Sequence, residues 1–283
     1  MSDLARHCQV LGIKADLVQL LSCPETTVIN LTNRSLGLES LRMVLSGMEH
    51  GMPIRVLNLA GNALGDAGCA LIAQMLRGNE SLETLDLSDA NITCLGAQHL
   101  QRLEGHPRLK HLYLSNNDIG AAGGFALSQL CSAAPITSLN LNFNAQLGDT
   151  GVEMLARAIS QPTSKLEQLS INGVGATHRG IWALTRALEL HHTQLRTLYC
   201  VQGAGAVDER DLEGLQAAFE RRAPGGRLVV HLNPLQQSSG REHAPTAGQR
   251  EAAADGAPRT SSSPTPDSDQ ISPSSSVDSL YLY

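Results

Sequence analysis

The stretch from Leu57 to Gly68, LNLAGNALGDAG, sets Gly61, Gly65 and Gly68 where a phosphate could meet bare backbone. A phosphate-cradling loop needs G-x-x-x-x-G-K-[ST], and a dinucleotide fingerprint needs G-x-G-x-x-G after a strand. The three lysines, Lys14, Lys110 and Lys165, stand in no such context, and these glycines are spaced otherwise. Ten histidines include the pair His191 and His192, but adjacent helical residues do not share a face. Neither H-E-x-x-H nor G-x-S-x-G occurs. The six cysteines, Cys8, Cys23, Cys69, Cys94, Cys131 and Cys200, form no C-x-x-C pair. No catalytic residue, cofactor or metal ligand is expected, and an enzyme is not expected.

The glycines lose their special meaning because they recur. IRVLNLAGNALGDAG begins at Ile54, LETLDLSDANITCLG at Leu82, LKHLYLSNNDIGAAG at Leu109 and ITSLNLNFNAQLGDTG at Ile136. LEQLSINGVGATHRG follows at Leu166 and LRTLYCVQGAGAVDE at Leu195. A degenerate copy begins at Thr26 and a truncated one at Arg227, with successive starts 27 to 32 residues apart. Gly65 recurs as Gly120 and Gly148, and Gly68 as Gly96, Gly123, Gly151 and Gly180. A feature found in most units is architectural.

Each unit reads as a short strand and a helix. In VLNLAG the apolar residues alternate, so Leu57 and Leu59 share one face and Asn58 takes the other. Leu71, Ile72, Met75 and Leu76 then follow at helical spacing. Neither element can bury its apolar face alone, so the units must stack. Gly65 and Gly68 are expected to let the chain turn into the helix. Asp66, Asp149 and Asp208 are expected to oppose the dipole of the helix they begin. Asn62, Asn117 and Asn144 are expected to tie each turn to the neighbouring unit. Arg34, Ala90, Val174 and Gly203 break that series.

The pattern L-x-x-L-x-L-x-x-N-x-L-G plus a helical run resembles the leucine-rich repeat in its ribonuclease-inhibitor-like form. That form is shared by the Ran GTPase-activating protein and NOD-like receptor arrays. The resemblance covers about residues 26–235 and implies an α/β solenoid, with a parallel sheet on the concave face and helices on the convex face. It implies about seven to eight units. Residues 1–25 are expected to form a helical cap, and 236–283 a disordered Ser/Pro-rich tail.

Function is then expected where the repeat does not fix the letter. The strand positions between the leucines hold Asn30, Asn58, Asp86, Tyr113, Asn140, Ser170, Tyr199 and His231. One step before them come Val28, Val56, Thr84, His111, Ser138, Gln168, Thr197 and Val229. Aromatics are only 3% of the chain, so rings on this face stand out. His111, Tyr113, Phe143 and Tyr199, with Asp86 and Asn140, are the expected partner-binding residues, since tyrosine favours binding hot spots. The expected function is a non-enzymatic scaffold or adaptor for a partner protein. The alternatives are a regulator of an enzyme, by GTPase activation or inhibition, and an actin-regulating repeat protein.

A net charge of −6 with no basic cluster argues against nucleic acid and acidic membrane as partners. No stretch approaches the roughly 18 apolar residues of a membrane helix. Scattered cysteines suit reduced thiols in the cytoplasm, or else the nucleus, and a monomer is expected. Ser263, Thr265 and Ser272 each precede proline and are candidate phosphorylation sites.

Overall fold

In the computed structural model, residues 27–49, 52–189, 193–203, 207–222 and 227–233 are described. The expected cap, the tail with Ser263, Thr265 and Ser272, and the pair His191–His192 lie outside them. Strands β1 (Val28–Asn30), β2 (Val56–Asn58), β3 (Thr84–Asp86), β4 (His111–Tyr113), β5 (Ser138–Asn140), β6 (Gln168–Ser170), β7 (Thr197–Gly203) and β8 (Arg227–Asn233) are separated by helices. These are α1 (Leu38–Glu49), α2 (Gly65–Met75), α3 (Cys94–Gln101), α4 (Ala121–Ala133), α5 (Gly148–Ile159), α6 (His178–Glu189) and α7 (Glu209–Arg222). The eight strands form one sheet in sequence order, every pairing parallel.

The register shows why leucine is fixed. Leu57, Leu85, Leu112, Leu139, Leu169 and Leu198 are successive Cα partners, and each is fully buried. Full burial of such a side chain is worth roughly 1.5–3 kcal/mol. The column is continuous with the inner faces of the helices, where Ile72, Leu100, Leu127, Leu155 and Leu184 are buried. One core therefore runs the length of the stack, and no unit owns it.

Two expectations need correction. In the last pairing Arg227 lies opposite Thr197 and Val229 opposite Tyr199, so the sequence alignment that matched Val229 to Thr197 and His231 to Tyr199 is two residues out. The apolar run RLVVHL offers alternation in either register, and only pairing with β7 selects one. Gly68 and its equivalents do not turn the chain, because they sit inside helices. A Cβ at Gly96 would lie 2.5 Å from Asp66 Oδ1, and one at Gly123 would lie 2.6 Å from Ile119 Cγ2. These glycines permit close packing. The chain does turn at Gly65 (φ 59) and Gly148 (φ 57), where a left-handed backbone favours glycine. Gly120 has φ −96 and is not equivalent.

Candidate protein-binding face

The residues between the leucines form rows across the sheet. Tyr113, Asn140, Ser170 and Tyr199 are register partners in turn on β4 to β7. At a strand spacing of roughly 4.8 Å the two tyrosines stand about 14 Å apart. His111 lies on the same face as Tyr113, two residues before it on β4. His111, Tyr113, Asn140 and Tyr199 are half-buried, while Phe143 is 57% exposed on the turn after β5. Five of the six expected site residues thus present surface along β4–β7 and the adjoining turn.

Asp86 does not. It is 2% exposed, lying between Asn58 and Tyr113 in the register. Its Oδ1 accepts the backbone N–H of Ser88 at 2.9 Å. The same local turn recurs where Asn58 Oδ1 accepts from Ala60 N and Asn140 Oδ1 from Asn142 N, both at 3.0 Å. The row therefore serves the strand ends as well as the surface. Its carboxylate and amides satisfy backbone donors that leave the sheet there. In the next row, neighbouring units connect where Ser115 Oγ donates to Ser88 Oγ at 2.9 Å and Asn172 N to Asn142 Oδ1 at 2.8 Å.

Beyond the strands, one turn position has positive φ in six units: Asn33 (56), Gly61 (68), Asp89 (55), Asn116 (55), Phe143 (59) and Gly173 (63). From Asn33 through Phe143, each N–H donates to a carbonyl of the next unit, as Phe143 N does to Asn172 O at 2.7 Å. The ring of Phe143 lies over Gly173, where an added Cβ would come within 3.0 Å of its Cδ1.

Beneath this surface the turns are closed by buried side chains. Asn117 is 6% exposed. Its Oδ1 accepts from Ala90 N (3.1 Å) and Ile92 N (2.9 Å), and its Nδ2 donates to Leu87 O and Leu114 O (both 3.0 Å). Asn62 ties Arg34 N, Leu36 N and Leu31 O in the same way. The expected tie to the neighbouring unit therefore runs to the preceding one.

Asp66 and Asp149 lie in the first turns of their own helices, as expected, and do more besides. Asp66 Oδ1 accepts from Thr93 N and Gly96 N, both at 2.8 Å, and Oδ2 from Thr93 Oγ1 at 2.7 Å. Asp149 repeats this with Thr177 and Gly180. Each caps the helix of the following unit, and only Asp208 caps its own, through Asp211 N at 2.9 Å. Burial pushes the Asp149 pKa up, but hydrogen bonds from Thr177 and Gly180 and the charge of Arg179 outweigh it. The carboxyl is held below its ordinary range.

Cys69, Cys94, Cys131 and Cys200 are free thiols. Burial pushes Cys69 and Cys131 up to about 12, far from a reactive thiolate. Among the described residues no cluster of His, Cys, Asp or Glu could hold a metal ion, and no helix is long and apolar enough to cross a membrane. Sequence reading passed over Trp182, the single tryptophan. It is 58% exposed on α6, with the Arg186 guanidinium carbon 5.0 Å from its ring centroid. The signal was there: Ile181, Leu184, Ala187 and Leu188 define the buried face and leave position 182 outside.

A family model described as Leucine Rich repeat matches residues 52–73, 78–103, 106–128 and 134–156. The chain is 31% identical over 205 residues to "NACHT, LRR and PYD domains-containing protein 12" of Homo sapiens, covering 70% of this chain and 19% of that protein. It is 29% identical over 197 residues to "Ribonuclease inhibitor" of Sus scrofa, covering 58% of this chain and 43% of that one. It is 26% identical over 155 residues to "Centrosomal protein of 78 kDa" of Homo sapiens, with 54% and 22% covered. The chain thus spans less than half the length of these relatives.

Proposed function

We propose that this chain, a leucine-rich repeat solenoid of the ribonuclease-inhibitor-like type, is a non-enzymatic binding module that holds a partner protein against β4–β7 and the adjoining turns. One observation carries the reading. The core side of β2 to β7 is the same leucine, whereas the opposite side runs Tyr113, Asn140, Ser170, Tyr199 across β4 to β7. Core packing explains the first series; in the second, Asn140 closes its own turn and Ser170 is buried, but neither role calls for Tyr113 or Tyr199. Two half-buried tyrosines flanking Asn140 and the buried Ser170 offer large, stiff contact area, the residue type of binding hot spots. His111 extends the patch along β4, and Phe143 extends it onto the turn. The reading has the protein acting as a monomer in the cytoplasm or nucleus, where its thiols stay reduced.

The test is replacement of Tyr113 and Tyr199 together by alanine in the full chain. Affinity capture should lose the partner by about tenfold or more while the thermal midpoint stays near that of the parent. Undiminished capture with the fold intact would sink this placement.

A further inference from the structure

We propose that Phe143 is the point at which an uncharged segment of the partner protein seats one apolar side chain. This deepens the protein-binding reading and rests on it. The starting observation is a contradiction within a series. Six units place a residue with positive φ at the same turn position, and five of them use Asn, Gly or Asp. Those types tolerate the left-handed region. Phenylalanine at φ 59 does not, and a bulky residue there costs stability.

Nothing in the core offsets that cost. Phe143 is 57% exposed, and the leucine column closes without it. Its backbone is held by the donated bond to Asn172 O, and its ring rests over Gly173. A ring that already rests on the neighbouring turn has less freedom to lose on binding, which is what an anchor needs. Strain held without a return in packing marks a residue kept for function.

The surroundings select the occupant. Residues 142–147, NFNAQL, and 172–177, NGVGAT, contain no charged side chain. The same ridge carries Arg34 in the first unit, Asp89 in the third and Asp118 in the fourth. A charged partner segment would lose hydration against Phe143 and gain no counter-charge from its own turn or from the one after it. An uncharged segment meets an aromatic face, with Gln146 in the same turn to pair with peptide groups.

The experiment uses the full chain, its Phe143→Asn and Phe143→Leu variants, and a phage-displayed library of short random peptides. Peptides selected on the parent and counter-selected on Phe143→Asn should carry an aliphatic or aromatic anchor without excess charge. Made synthetically, they should bind the parent about tenfold or more tightly than Phe143→Asn, with little change as salt rises, and Phe143→Leu should retain most of the affinity. Phe143→Asn should also melt higher, by about 2–4 °C, because asparagine accepts the backbone angle. Three results each overturn the proposal: no peptide that distinguishes the variants, selected peptides that are charged and salt-sensitive, or a Phe143→Asn melting point at or below the parent's. The two readings fail separately. Peptides sensitive to Phe143 with partner capture indifferent to Tyr113 and Tyr199 would remove the strand-face site and keep the anchor, and the converse would remove the anchor.

Discussion

The fourth unit buries an asparagine at its turn and the third does not, yet both turns close. Asn117 supplies an acceptor to Ala90 N and Ile92 N of the unit before it. At Ala90 and Val174 there is no such side chain, so the preceding units need another solution. They find it in their own sequence. Gly65 and Gly148 enter the left-handed region and donate N–H to Ala90 O (2.8 Å) and Val174 O (2.9 Å). Asp66 and Asp149 beside them then cap the next helix through Thr93 and Thr177. The third unit, which precedes Asn117, caps α3 further with its own Thr93 Oγ1, accepting from Leu95 N at 3.2 Å. A change in one layer is thus answered in the layer before it. The unit of design is the interface between repeats, as expected of a stack stabilised by its neighbours.

The comparison can be broken most forcefully at Asn117. Asn117→Ala leaves two donors and two or more acceptors buried without partners, which should cost roughly 3–5 kcal/mol in denaturant unfolding. A loss under about 1 kcal/mol would mean that the alanine-type turn of the third unit can form anywhere. Asp149→Ala tests the other solution. Removing this cap from α6 should cost about 1–2 kcal/mol at neutral pH. The carboxyl is held below its ordinary pKa, so its contribution is full above the ordinary carboxylate value and fades as pH falls through the folded value. The gap between parent and variant should therefore close in acid, and a pH-independent gap would contradict the charged cap.

The smallest effect sharpens the same contrast in the loops before the strands. Asn79 Oδ1 accepts from Ser81 N and Leu82 N. In the next unit His106 Nδ1 accepts from Arg108 N (3.3 Å) and Leu109 N (3.1 Å). This requires a neutral ring with its proton on Nε2, which is buried without a partner among the described residues. Burial holds the His106 pKa below its ordinary 6.5. Its stabilisation is complete above that value and is lost as pH falls toward the lower folded value. His106→Asn should abolish this mild acid sensitivity in melts between neutral and mildly acid pH. A parent profile that the substitution leaves unchanged would assign the sensitivity elsewhere.

Much of this was legible in the letters. The recurring leucines announced strand, helix and stacking, because a column of identical buried side chains needs identical spacing. Asn62, Asn117 and Asn144 announced buried turns. The proposed partner face was legible only as a list of rows. Asp86 shows the limit: its place in the row is that of Tyr113, but burial depends on what stands on the neighbouring strands. Asp66 and Asp149 show another, since a first-turn carboxylate is legible as opposing its own helix dipole, whereas its cap on the following helix is not until that helix is in place.

The sequence by itself determined the repeat, the face each leucine takes and the absence of the known catalytic and phosphate-binding motifs, because these follow from local periodicity and residue chemistry. The tertiary structure decided the register of β8, the direction of each asparagine and aspartate across the layers, and the strain at Phe143. Those depend on distances between residues some 25 to 31 positions apart, which only stacking brings together.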